Sequence, residues 1–171
     1  MNICHQYITE RFNYDPATGI FSNKTNGRAL GHMTHDGYIR LTVSKEHGSC
    51  LVHRLAWFYM TKSWPTGGLD HVNGVRTDNR WSNLRLATAS ENIQNLRLAR
   101  SDSKSGLLGV DFHKRANKWR SQIKIDGVKI HLGYFETPEA AHMAYLSAKR
   151  DKHPFGEIAK LPEWLCPRLT K

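Results

Sequence analysis

Leu69-Asp70-His71-Val72-Asn73-Gly74, then Asn83-Leu84-Arg85-Leu86-Ala87, then Thr88-Ala89-Ser90-Glu91-Asn92 is the stretch that decides the fold of the first half of the chain. Leu69 to Val72 reads as a short extended piece, and Asn73-Gly74 as a tight turn. Asn83 to Ala87 resumes an extended run. Thr88 and Glu91 have capping-box spacing, so a helix is expected from about Ala89 to Ala99. The order is strand, turn, strand, helix. Asp70 and His71 are neighbours on an extended segment, so their side chains point to opposite sides unless the chain bends. The Asn73-Gly74 turn offers such a bend. Asn92 falls in the first turn of the helix. A hairpin followed by a helix brings Asp70, His71 and Asn92 together.

The chemistry of those side chains is suggestive. Carboxylate and amide oxygens suit a hard divalent cation such as magnesium. A neutral imidazole is a base near neutral pH. Phosphodiester hydrolysis needs an activated water and charge neutralisation on the leaving oxygen. On spacing alone, however, an Asp-His pair is more often surface decoration or a local hydrogen bond.

Working outward, residues 1 to about 50 have strand-and-turn character. Asp15-Pro16-Ala17-Thr18-Gly19 is turn chemistry, with Ile20-Phe21 as a strand after it. Asp36-Gly37 is a second turn. The run Tyr38 to Val43 then alternates, with Ile39, Leu41 and Val43 on one face. Leu51 to Thr61 reads as a helix with Val52, Leu55, Ala56 and Tyr59 on one face, stopped by Pro65 and Gly67-Gly68. Arg100 to Ser105 is polar and Ser-rich, and 101–105 is the candidate linker. Beyond it, Leu108 to His113, Lys118 to Ile125 and Val128 to Phe135 read as three strands. Asp126-Gly127 is the hairpin turn between the last two. Thr137-Pro138 is a cap followed by proline at the first helical position, opening a helix that buries Ala141, Ala144, Tyr145 and Ala148. The tail, 154–171, carries Trp164 and Leu165 without a readable motif.

Composition narrows the class. The chain has 171 residues, with 25 Lys plus Arg against 15 Asp plus Glu and a formal charge of +10. That surplus favours a polyanion such as nucleic acid as partner, over a mere solubility charge. Cys4, Cys50 and Cys166 are isolated, which argues against a cysteine zinc site or a disulfide framework and favours a reducing cytoplasm. No apolar run is long enough to span a membrane, and the N-terminus does not read as a signal peptide.

The wording of the central region goes further than its spacing. Val52-His53-Arg54-Leu55-Ala56-Trp57, Leu69 to Gly74, Thr77-Asp78-Asn79-Arg80-Trp81-Ser82-Asn83-Leu84-Arg85 and Ser90-Glu91-Asn92-Ile93-Gln94-Asn95 closely resemble the HNH endonucleases of phages, including intron-encoded and free-standing homing enzymes. The resemblance covers most of residues 10 to 97. It implies a ββα-metal (His-Me finger) nuclease domain. It implies that Asp70 and Asn92 are metal ligands and His71 the general base. Asn83 would be the middle Asn that braces the loop and orients the base. The motif ends in Asn92 rather than His, which points to one Mg2+ (or Mn2+) ion per site and away from zinc or nickel. Glu91 reads as the capping partner of Thr88 rather than a ligand. Arg54 and Arg85 are candidate DNA contacts, with helix packing for Arg54 and plain solvation for Arg85 as the alternatives.

The third region has its own resemblance. Gly109-Val110, Lys118-Trp119-Arg120-Ser121-Gln122-Ile123, Ile130-His131-Leu132-Gly133-Tyr134-Phe135, Thr137-Pro138-Glu139-Ala140-Ala141 and Ala144-Tyr145 resemble the plant Apetala-two/ethylene-response-factor DNA-binding domain over about 106 to 153. It implies a three-stranded sheet lying in the major groove. The carried-over positions are Lys118, Arg120, Gln122 and Lys124 on the second strand, and Lys129 and His131 on the third. Asp111 stands where that family usually has Arg.

The expectation is an α+β chain. Residues 1–100 would hold the N-terminal strands and the ββα-metal nuclease domain, 101–105 a linker, and 106–153 a three-stranded antiparallel sheet plus helix that binds DNA. The partner would be double-stranded DNA, the protein a monomer or weak dimer, and the compartment the cytoplasm, that of the host cell if phage-encoded. A non-catalytic DNA-binding regulator with a relic nuclease domain is the alternative. An RNA-binding protein has only the charge behind it.

Overall fold

The computed structural model describes residues 3–96, 99–100, 102–153 and 155. Beyond Phe155, the tail with Trp164, Leu165 and Cys166 lies outside the described residues. The chain forms two compact units, Met1–Thr88 and Ala89–Lys171. The division falls ahead of the 101–105 segment expected from sequence, and it assigns the short helix that opens at Ala89 to the second unit. No residue of that helix is buried.

The first unit opens with a helix that sequence reading did not foresee, α1 (His5–Arg11). Its N-cap is Cys4, whose Sγ accepts a hydrogen bond from the Tyr7 N–H at 3.4 Å. Strands β1 (Phe12–Asp15) and β2 (Ile20–Asn23) form an antiparallel hairpin across the Asp15–Gly19 turn, with β3 (Ala29–Leu30) beside β2. A second sheet follows from β4 (His32–Met33), β5 (Ile39–Ser44) and β6 (Gly48–Leu51). Along β5 the expected alternation holds, with Leu41 and Val43 buried and Arg40 and Thr42 exposed. Helix α2 (Val52–Thr61) buries Val52, Leu55 and Ala56 at helical spacing, together with His53 and Phe58. It ends where Lys62 turns left-handed at φ 61. Strands β7 (Gly68–His71) and β8 (Leu84–Ala87) pair antiparallel as a two-stranded ribbon, with a 3-10 turn, Trp81–Asn83, just before β8. One apolar core joins these parts, centred on Ile8, Phe21, Leu41, Val52, Leu55 and Ala56.

The second unit starts with α3 (Ala89–Gln94), shorter than the helix to Ala99 expected from sequence. Strands β9 (Val110–His113), β10 (Lys118–Ile125) and β11 (Val128–Phe135) make an antiparallel sheet with β10 in the middle. The β10–β11 turn is Asp126 at φ 47 and Gly127 at φ 85, the doubly left-handed geometry that suits the strand twist of a two-residue hairpin. A register shift between Ser121 and Gln122 marks a bulge. Helix α4 (Pro138–Lys152) begins at Thr137, whose side chain accepts from the Ala140 N–H. It packs on the sheet through Ala141 and Tyr145, while Ala144 and Ala148 are only half-buried. Gly109 makes that packing possible. It sits at φ +73, and a Cβ there would lie 2.0 Å from a ring carbon of Tyr145. Among the described residues, no helix is long and apolar enough to cross a membrane.

Candidate active site and nucleic-acid face

The candidate catalytic residues of the first unit sit on the β7–β8 ribbon and its long connecting loop. The strand runs regularly through both Asp70 and His71, which pair with Arg85 and Leu84 respectively. The bend expected at this point is absent, so the two side chains leave opposite faces of the ribbon. The Asn73-Gly74 turn begins only after the strand has ended.

On one face, Arg85 grips Asp70. Its Nε and terminal nitrogen both donate to Oδ2 of the carboxylate, at 3.1 and 2.9 Å. Register explains the pair, because the two residues are directly opposed across the ladder. Arg85 was a candidate DNA contact from sequence, and the structure ties it to the candidate metal ligand.

His71 lies on the other face and is buried, with 4% of its surface exposed. Its Nε2 lies 3.2 Å from Oδ1 of Asn79. The Asn79 amide nitrogen donates to the Thr77 carbonyl at 3.1 Å, which turns the amide oxygen toward the imidazole. Nε2 therefore carries the proton and donates, and Nδ1 holds the basic lone pair. The His53 ring stands edge-on to His71, with centroids 5.1 Å apart, and Tyr38 packs near both. Burial lowers the pKa of His71, against the raising influence of Asn79, Asp70 and Asp78, and so favours the neutral ring. Burial pushes His53 down to about 3, with the neighbouring His71 adding to the shift.

Asn83 holds the loop closed from both ends. Its Oδ1 accepts from the Asn73 N–H at 2.9 Å, and its amide nitrogen donates to the Asp78 carbonyl at 2.7 Å. The Val72 N–H donates to the Asn83 carbonyl at 2.8 Å. The Asp78 carboxylate accepts from Asn73 and Arg80, and the Arg80 guanidinium holds it down to about 2. The N-terminal hairpin supports the same loop. The Tyr14 hydroxyl donates to the Asn79 carbonyl at 2.8 Å, and a Cβ at Gly19 would meet the Asn79 carbonyl carbon at 2.3 Å. Sequence reading missed Asn79 and Tyr14. The one available signal was the clustering of Asn73, Asn79 and Asn83 in a single loop.

Arg54, on α2, donates to the Pro65 carbonyl at 3.4 Å. That contact favours the packing alternative left open for it. Asn92 lies on α3 in the second unit. Among the described residues, no three or more His, Cys, Asp or Glu side chains gather as a metal-holding group.

The second unit presents the expected charged sheet face. Lys118, Arg120, Gln122 and Lys124 lie on one face of β10, opposite a buried face formed around Ser121 and Ile123. Lys124 is opposed to Lys129, and Gln122 to His131. Lys118 pairs with Glu136 at 2.7 Å. Arg120 and Gln122 converge on Asp111 of β9: Arg120 Nε and its terminal nitrogen at 3.2 and 2.8 Å, Gln122 Nε2 at 2.8 Å.

Residues 50–94 match the family model described as HNH endonuclease, a segment that runs from β6 into α3. The likeness to that family lies in this segment of the chain. A stretch of 59 residues is 34% identical to Protein 3.8 of Escherichia phage T7. That stretch is 34% of this chain and 48% of the phage protein, so the chain spans about half the length of this curated relative. A solved structure described as DNA binding and cleavage by the HNH homing endonuclease I-HmuI is also similar. The TM-score is 0.43 at 22% identity, over 77% of this chain and 75% of that one.

Proposed function

We propose that the protein is a metal-dependent DNA endonuclease of homing type that cuts phosphodiester bonds in double-stranded DNA. The observation that carries this reading is the buried His71 ring with its Nε2 3.2 Å from Asn79 Oδ1, inside the segment that matches the HNH family model. Such a group is equipped to accept a proton at Nδ1 near neutral pH.

In the proposed reaction, His71 takes a proton from a water whose oxygen bonds to phosphorus, and the bond from phosphorus to the leaving oxygen breaks. Asn79 holds the ring in one orientation, and Asn83 keeps the loop in the shape that positions Asn79. Asp70 and Asn92 would supply the protein oxygens to a divalent ion. A carboxylate and an amide are hard donors, which suits Mg2+ or Mn2+ and disfavours zinc. When bound, the cation neutralises charge developing on the leaving oxygen. Arg85, beside Asp70, holds that carboxylate in one orientation. The charged sheet face of the second unit, resembling an Apetala-two module, would hold the duplex through Lys118, Arg120, Gln122, Lys124, Lys129 and His131.

The direct test is incubation of the full chain with supercoiled plasmid and magnesium, beside a chelator control. Nicked or linear product that needs the metal supports the reading. Binding without cleavage under any divalent metal overturns it and favours a DNA-binding regulator.

A further inference from the structure

Asp111 is the one acidic residue in the three strands β9, β10 and β11. It shares a face with Arg120, Gln122, Lys124, Lys129, His131 and Tyr134. Its carboxylate accepts three hydrogen bonds, two from Arg120 and one from Gln122. The register places it there, since Asp111 is directly opposed to Arg120. Both members of the ion pair are partly open, with side-chain exposures of 43% for Asp111 and 31% for Arg120. The cluster therefore lies within reach of a macromolecule laid on the sheet.

Arg and Gln are the side chains best suited to bidentate reading of guanine and adenine edges. Arg is also readily captured by backbone phosphate, a contact that carries no sequence information. A carboxylate beside Arg120 changes the balance between these two uses. A phosphate approaching Arg120 meets the negative charge of Asp111 and must displace a two-bond pair. A base edge incurs no such repulsion. Three of the five guanidinium N–H groups stay available to it, as do one amide N–H and the carbonyl of Gln122. An exposed cytosine or adenine amino group can also donate to Asp111 itself.

We propose that Asp111 is a specificity-determining residue, which holds Arg120 and Gln122 as a base-reading cluster and keeps Arg120 from binding phosphate indiscriminately. The proposal rests on reading this sheet as a face for duplex DNA.

The test is equilibrium binding of the full chain to a mixed-sequence duplex, in chelator to prevent cutting, across a range of salt. Asp111→Asn should bind mixed sequence several-fold tighter than the parent. Its log-log salt slope should be steeper by about 0.9, one added phosphate contact. Selection from a randomised duplex pool should yield a looser consensus for the variant. In an Arg120→Ala background the Asp111→Asn gain should vanish. Asp126→Asn, which removes a carboxylate from the β10–β11 turn, should leave the slope and the consensus unchanged. An unchanged slope and consensus for Asp111→Asn overturn the proposal, as does a gain that survives in the Arg120→Ala background. If Asp111→Asn does not fold, Arg120→Lys decides. It keeps the charge but loses the two-pronged grip, so the consensus should loosen while the fold persists, and an unchanged consensus overturns the proposal. If the parent binds duplex with no salt dependence, the DNA reading of the sheet fails instead, and the two failures are distinguishable.

Discussion

Asn79 Oδ1 lies 3.2 Å from Nε2 of His71, and the other end of the same amide is tied to the Thr77 carbonyl. This pair fixes both the orientation and the tautomer of the candidate base. Asn79→Leu removes the acceptor and leaves a buried N–H without its partner, at a cost of about 1–3 kcal/mol. Single-turnover cleavage should slow by about 10–100-fold, on the scale of losing a support to a catalytic group, while duplex affinity stays near the parent value. Rapid-quench kinetics with parallel binding titrations check this. An unchanged rate would remove Asn79 from the account.

Asn83 acts through the loop. Its side chain closes the 72–83 connection by one accepted and one donated hydrogen bond. Asn83→Ala should destabilise the protein by about 2 kcal/mol, roughly 1 kcal/mol per bond, and cleavage should fall with it. Asn83→Asp keeps the acceptor for Asn73 but loses the donor to Asp78, so it should fall between the two in thermal denaturation.

Gly19 and Gly109 are predicted to be intolerant of side chains for the same physical reason in different places. Gly19→Ala forces a Cβ into the Asn79 backbone, and Gly109→Ala forces one into the Tyr145 ring, both at positive φ. Each should lower the melting temperature. Gly19→Ala should also slow cleavage, because the displaced residue holds His71. Gly109→Ala should act chiefly on DNA binding. Swapped effects would contradict the placing of His71's support beside the N-terminal hairpin and of the DNA face on the β9–β11 sheet.

Stability should depend on pH through His53. Its folded pKa of about 3 lies below the ordinary 6.5, so the unfolded chain binds a proton in that interval that the folded chain does not. This contribution is full above pH 6.5 and is lost as pH falls toward 3. The slope approaches about 1.4 kcal/mol per pH unit for one such group. His71, also lowered by burial, acts in the same direction. Denaturant titrations over this range should show a shallower pH dependence in His53→Leu, and identical slopes would contradict it.

Much of the second unit was legible in the sequence, because its signals are local. Alternation set β10 and β11 to the residue, Asp126-Gly127 set their turn, and Thr137-Pro138 set the start of α4. Helix α1 was not legible, since its cap is a cysteine rather than one of the usual hydroxyl or carboxamide residues. The positions of Asp70 and His71 on a strand were readable, whereas Asn83, expected to open the extended run, ends the 3-10 turn before it. The straight passage of β7 through Asp70 and His71 was not, because strand regularity there depends on pairing with Leu84 and Arg85. Asn79 was hidden for a similar reason, as loop side chains have no periodicity to betray which way they turn. Lys149 is buried on α4 although the spacing pointed to Ala148 beside it. Its Nζ donates to the Leu96 carbonyl, a partner far away in sequence.

The central claim is that His71 is the proton acceptor in DNA cleavage. The measurement that tests it most directly is magnesium-dependent cleavage of duplex DNA by the parent and by His71→Ala, with duplex affinity measured on both. The account predicts cleavage lost in the variant, by at least the about 100-fold typical of a general base, with affinity nearly intact. A variant that still cuts at close to the parent rate would contradict it.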